Sequence, residues 1–107
     1  EAIRFILTRE GWQVDVEAGG SAALERVRAA PPDALILDLM LPDMHGFDVL
    51  RTLRADAPTR HLPVLMLTAK GQSADRDLAA KLGVTRFMTK PFANDDVVAA
   101  LHDMVAP

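Results

Sequence analysis

The chain has 107 residues, 50% of them hydrophobic, with 12 Lys and Arg against 15 Asp and Glu for a formal net charge of −3. That length suits one domain with a modest core, and the slight acidic balance with scattered positive charges argues against a nucleic-acid surface. The absence of cysteine excludes a disulfide framework and a thiolate metal site, no apolar run approaches the roughly 20 residues that span a bilayer, and no secretory signal is visible, so the chain reads as soluble and cytoplasmic.

Ile3, Ile6, Leu7 and Glu10 fall at helical spacing with Gly11 at the position of a C-terminal cap, which predicts a helix over residues 2–10 that is already under way at residue 1. Residues 13–17 alternate strictly between polar and apolar, the pattern of a half-buried strand at a sheet edge, with Trp12 at its entry. Ser21 is placed to cap a helix whose inner face is Ala23, Leu24, Val27 and Ala30, stopped by Pro31-Pro32. Residues 34–38 are an apolar run too short for a helix, which predicts a strand buried on both faces and ending at Asp38 before a Pro/Gly loop. Gly46 leads into a helix with Phe47, Leu50 and Leu53 inward and Pro58 beyond its end, followed by a short polar loop over 59–62.

Residues 63–67 repeat the continuous apolar pattern and end in Thr68. A further helix, started by Gln72 or Ser73, carries Leu78, Ala79 and Leu82 and is closed by Gly83. Residues 85–90 are mixed in polarity and read as an edge strand, and Asn94 is placed to cap a last helix with Val97, Val98, Leu101, Met104 and Val105 inward. Strict helix–strand alternation predicts an α/β domain with a parallel sheet covered by helices on both faces.

Three of the predicted strands end in Asp38, Thr68 and Lys90, and in a parallel sheet these ends share one rim. A carboxylate, a hydroxyl and an ammonium brought together suit a phosphoryl group: Asp38 attacks as nucleophile while Thr68 and Lys90 hold the equatorial oxygens. Taken singly, Asp38 reads equally as a loop cap, Thr68 as a β-branched strand residue and Lys90 as a solvated strand end; the shared register favours the joint reading. Lys90-Pro91 is also a candidate cis peptide, which would turn the lysine back over the crevice and lower the aspartate's pKa.

With residues 35–46 (LILDLMLPDMHG), 63–69 (PVLMLTA) and Lys90-Pro91-Phe92 on the page, the chain resembles a response-regulator receiver domain of two-component signalling, from Glu1 to its end. The resemblance implies a flavodoxin-like (CheY-like) three-layer α/β fold with the parallel sheet in the order 2-1-3-4-5. It implies Asp38 as phosphoacceptor, Thr68 as switch hydroxyl, Lys90 as phosphate-binding lysine and Phe87 as the aromatic switch, with Ala69 leaving the site open. Met40 would offer its backbone carbonyl to magnesium alongside Asp38, and its side chain would affect phosphate lifetime. Implied partners are a sensor histidine kinase or phosphotransfer protein and an effector not visible in the sequence, and the domain is expected to be a switch rather than an enzyme. The residues that OmpR-like regulators use to dimerise across their last helices are not evident.

Receivers begin with an apolar strand ending in an acidic pair that binds magnesium, and this sequence starts after it, so residues 1–107 are expected to be an N-terminally incomplete receiver. Magnesium is then expected only if the acidic pair lies upstream, and the role is not transferred to Glu1. The rival reading is a phosphorylation-independent receiver-like interaction module. A hydrolase like the haloacid-dehalogenase phosphatases needs a second Asp two residues after the first, where this chain has Met40. Because the family's first strand lies between the strands at 13–17 and 34–38, its slot is filled by an upstream strand, by closure of residues 13–17 onto 34–38, or by exchange with another chain.

Overall fold

Two aliphatic runs and one segment of mixed polarity build the sheet: β1 (Leu35–Leu37), β2 (Val64–Thr68) and β3 (Arg86–Thr89) are parallel, in the order β1-β2-β3. The structure, a computed structural model, describes residues 7–68, 73–89 and 91–105. Leu37 pairs with Met66, Met66 with Phe87, and Thr68 with Thr89. Alternation along each strand sends Leu35, Leu37, Val64, Met66 and Phe87 to one core and Ile36, Leu65, Leu67 and Met88 to the other.

The first core is covered by α1 (Gly20–Ala29), α2 (Gly46–Ala55) and α3 (Ser73–Lys81), through Leu24 and Val27, through Phe47, Val49, Leu50 and Leu53, and through Ala79. The second is covered by α4 (Asn94–Val105), through Val97, Ala100 and Leu101, and by Leu7 of the helical residues 7–9. β2 lies between its two neighbours and every one of its residues is buried, whereas Leu35 and Ile36 of β1 are half-buried. This is the expected three-layer arrangement. Gly11 and Gly83 close their helices in the left-handed region, at φ 95° and 92°. None of the helices among the described residues is long and apolar enough to cross a membrane.

Several local expectations need correction. Residues 13–17 form no strand and join no ladder among the described residues; Val14 packs on the second core while Val16 is 43% exposed. The alternative in which this segment closes directly onto 34–38 is therefore absent among the described residues. Asp38 follows β1 instead of ending it, and β3 covers Arg86–Thr89 instead of 85–90. Ser21 is not the N-cap of α1: the cap position is Gly19, which has no side chain to offer. Asn94 is the first residue of α4, whose opening amides at Asp96 and Val97 donate to the Ala93 carbonyl. Pro58 lies within a 3-10 turn, Ala57–Thr59, and Thr59 and Leu62 of the expected polar loop are buried. Residues 2–6 of the expected N-terminal helix, and Gln72, lie outside the described residues.

Candidate functional site

The end of β1 and the loop over residues 38–46 form one side of the rim. Asp38 is exposed, and its Oδ1 accepts the Met40 amide at 3.1 Å, which turns the carboxylate along the loop. The loop folds back on itself: Met40 and His45 form an antiparallel bridge, and the Gly46 amide donates to the Leu39 carbonyl at 2.7 Å. Gly46 is required there, because a Cβ at this position would overlap the Asp38 carbonyl oxygen and lie 2.8 Å from Leu39 Cα. The next residues enter α2 under a cap that the sequence reading missed, in which His45 Nδ1 accepts the Phe47 amide at 3.1 Å.

Thr68 ends β2 and is 2% exposed. Leu37 is registered with Met66, so Asp38 and Thr68 lie within about one strand step of each other along the rim. Phe87, registered with Met66, is buried in the first core, with the Arg76 guanidinium 5.1 Å above its ring and Arg76 donating to the Phe87 carbonyl at 3.3 Å. Arg76 was not singled out from the sequence, since only the fold brings α3 over β3. Lys90, the Lys90–Pro91 peptide and Ala69 lie outside the described residues.

Met40 is 63% exposed and, with Leu39, Leu41, Met44 and His45, lines a shallow cavity of about 230 Å³ beside Asp38. The tip of the loop is held from the other direction. Asp43 accepts the Gly20 amide at 2.8 Å and the Ser21 amide at 3.1 Å, and these bonds hold its carboxyl below the usual aspartate range. A sequence signal for this contact existed only in part: a helix starting at Gly19-Gly20 lacks a capping side chain, but nothing local says where the substitute comes from.

The family model for the response regulator receiver domain covers residues 1–102. The chain belongs to this family. The Probable transcriptional regulatory protein TcrX of Mycobacterium tuberculosis is 41% identical over 98% of the chain and 44% of its own length. The DNA-binding response regulator MtrA of Mycolicibacterium smegmatis is 42% identical over 95% of the chain and 43% of its own length. The receiver thus spans less than half the length of these curated relatives. Among solved structures, the receiver domain of the sensor histidine kinase PA1611 from Pseudomonas aeruginosa has a TM-score of 0.89 and 26% identity over 99% of this chain and 87% of its own. That structure has a magnesium ion coordinated in its active-site cleft.

The described residues of this receiver do not themselves complete such a cation site. Among them no group of three or more His, Asp or Glu is placed to hold a metal, and the sequence leads one to expect only the Asp38 carboxylate and the Met40 carbonyl as donors from this part of the chain. Magnesium demands six oxygens in octahedral geometry and keeps several of them as water, so two protein donors leave most of the shell to other groups.

Proposed function

We propose that this receiver accepts a phosphoryl group on Asp38 from the phosphohistidine of a sensor histidine kinase or phosphotransfer protein. An Asp38 carboxylate oxygen attacks phosphorus, the O–P bond forms as the donor P–N bond breaks, and the leaving imidazole takes up a proton. The observation that carries the reading is the exposed Asp38 carboxylate, held in one orientation by the Met40 amide at the strand-end rim that also carries Thr68. A preorganised nucleophile of this kind needs little of the protein beyond positioning and charge stabilisation.

Thr68 then bonds the phosphoryl oxygens, with Lys90 as their cationic partner, and Phe87 changes its packing in response, which alters the surface formed by α3, β3 and α4. The role is that of a switch and not of an enzyme with turnover. Asp38 and the Met40 carbonyl contribute to magnesium binding, with the remaining ligands coming from water and from groups outside the described residues. In a protein of the relatives' length the output is transcriptional, and its DNA contacts lie outside these residues, whose net charge of −3 does not suit a phosphate backbone.

Incubation with acetyl phosphate and magnesium tests this. One phosphoryl group per chain, labile to hydroxylamine and lost in Asp38→Asn, is the expected outcome. Labelling at equal rate in Asp38→Asn would sink the assignment, and unlabelled wild-type protein would leave the phosphorylation-independent docking module as the reading.

A further inference from the structure

We propose that Asp43 is a positioning residue for the phosphoryl-accepting loop: by holding the first amides of α1 it fixes the loop tip, and so keeps Asp38 in the orientation that its Met40 bond defines. The proposal rests on the reading of Asp38 as acceptor and adds a residue to that site. α1 begins without a side-chain cap, since its cap position is Gly19, so its leading amides are left for an outside acceptor. Asp43 supplies one, across 23 residues of sequence, with one oxygen to each amide: Oδ1 to Gly20 and Oδ2 to Ser21. The positive end of the helix dipole favours the carboxylate there over a neutral group.

The helix is shaped to receive the loop. A Cβ on Gly19 would lie 3.1 Å from Asp43 Oδ1, and one on Gly20 would overlap the Met44 side chain and come within 2.9 Å of Val49 Cγ2. Side chains at either position would push the tip outward. The base of the loop is secured separately, by the Met40–His45 bridge, the Gly46-to-Leu39 bond and the His45 cap of α2. Met40 stands at the junction. Its backbone belongs to the bridge at the loop base, and its amide is the donor that orients Asp38. With the tip released, the base alone holds the loop, and the bridge that carries the Met40 amide loses the second anchor against which it is fixed. A helix cap of purely local importance would have no such consequence for Asp38.

The test compares wild type, Asp43→Ala, Asp43→Asn and Asp38→Asn, each well below its melting temperature, by the rate of labelling across a range of acetyl phosphate concentrations with magnesium. Amide hydrogen exchange at Gly20 and Ser21 is measured in parallel. Asp43→Ala is expected to lower the maximal rate about tenfold with the half-saturating donor concentration unchanged, a sub-ångström loss of alignment. Asp43→Asn keeps one acceptor oxygen and is expected within about threefold of wild type, with the Gly20 and Ser21 amides protected to an intermediate degree. Faster exchange at both amides with an unchanged maximal rate would make Asp43 a helix cap alone and overturn the proposal. Equal losses in Asp43→Ala and Asp43→Asn with the Gly20 and Ser21 amides still protected in Asp43→Asn would assign the effect to charge alone and overturn it as well. If Asp43→Ala does not fold, the rate and exchange of Asp43→Asn decide, since normal labelling with unprotected amides refutes the role. Wild-type protein that is not labelled, or that is labelled equally in Asp38→Asn, removes the acceptor reading and the positioning role with it, an outcome separate from the others.

Discussion

Gly46→Ala is the substitution that most directly links packing to Asp38, the proposed acceptor. The added methyl would overlap the Asp38 carbonyl oxygen and lie 2.8 Å from Leu39 Cα and 3.1 Å from the Asp38 carbonyl carbon. All three are backbone atoms, so no side chain can rotate away. Carbon atoms pack at about 3.5 Å or more, so the segment just after β1 and the start of α2 must separate by roughly 0.7 Å at this point. That movement also stretches the 2.7 Å bond from the Gly46 amide to the Leu39 carbonyl.

Overpacking of this kind costs about 1–3 kcal/mol. For a domain of this size each kcal/mol lowers the melting temperature by about 4–8 °C, so a fall on the order of 10 °C is expected by calorimetry. Because the displaced atoms belong to Asp38 itself, labelling by acetyl phosphate is expected to slow about tenfold or more even where the variant is fully folded. A Gly46→Ala protein that melts within about 2 °C of wild type and is labelled at the wild-type rate would falsify the close approach of α2 to Asp38.

Met66, in the middle of β2 and without solvent exposure, is expected to cost about 2–5 kcal/mol when replaced by Ala, read from the urea midpoint; a loss below about 1 kcal/mol would mean that the cavity collapses freely. Thr59→Val removes the buried hydroxyl that donates to the Leu53 carbonyl at 2.5 Å near the end of α2, with an expected loss of about 1–3 kcal/mol in the same assay, and no change would show that the carbonyl finds another donor. His45→Ala deletes the α2 cap and is expected to cost about 0.5–2 kcal/mol, whereas His45→Asp keeps an acceptor at the helix N-terminus and is expected to be at least as stable as wild type; the reverse order would contradict the cap. The Asp43 carboxyl is held below its ordinary range, so its contribution is fully present above the unfolded value near pH 4 and is lost as pH falls through the lower folded value. The difference in melting temperature between wild type and Asp43→Ala is therefore expected to be constant above about pH 5 and to shrink below pH 4; a gap that widens on acidification would reverse the sign of the argument.

What could be read from the sequence follows the distance over which each feature is decided. β1 and β2 were legible because continuous aliphatic runs bounded by Pro have few alternatives. The inward face of α2 was legible at Phe47, Leu50 and Leu53 because helical period fixes it, and Gly11 and Gly83 because a left-handed terminus selects Gly. Residues 13–17 were not, since alternation describes a strand's faces and says nothing of whether a neighbouring strand is present to pair with it. Ser21 looked like a cap because capping is normally local, whereas the acceptor at α1 comes from Asp43, 22 residues further on. The same holds for Arg76 over Phe87, a contact between α3 and β3 that no local pattern announces.

The acceptor loop and the expected response lie at opposite extremes of burial, and this constrains how a signal leaves the site. Asp38 is exposed, while Thr68 is 2% and Phe87 8% exposed. A dianionic phosphoryl group on Asp38 stays in reach of water, so on the proposed reading it is the hydroxyl and the end of β2 that adjust toward the phosphate. β2 is paired on both sides, and the residue opposite Thr68 is Thr89, two positions along β3 from Phe87. A shift of Thr68 is therefore delivered first to β3, and through it to the ring that Arg76 covers, without any change in the loop that presents Asp38. That loop is anchored at its base on α2 and at its tip on α1, two helices that face the same core as Phe87. On that reading α1 and α2 hold Asp38 in place, and the change is passed along β3 toward Phe87 and Arg76.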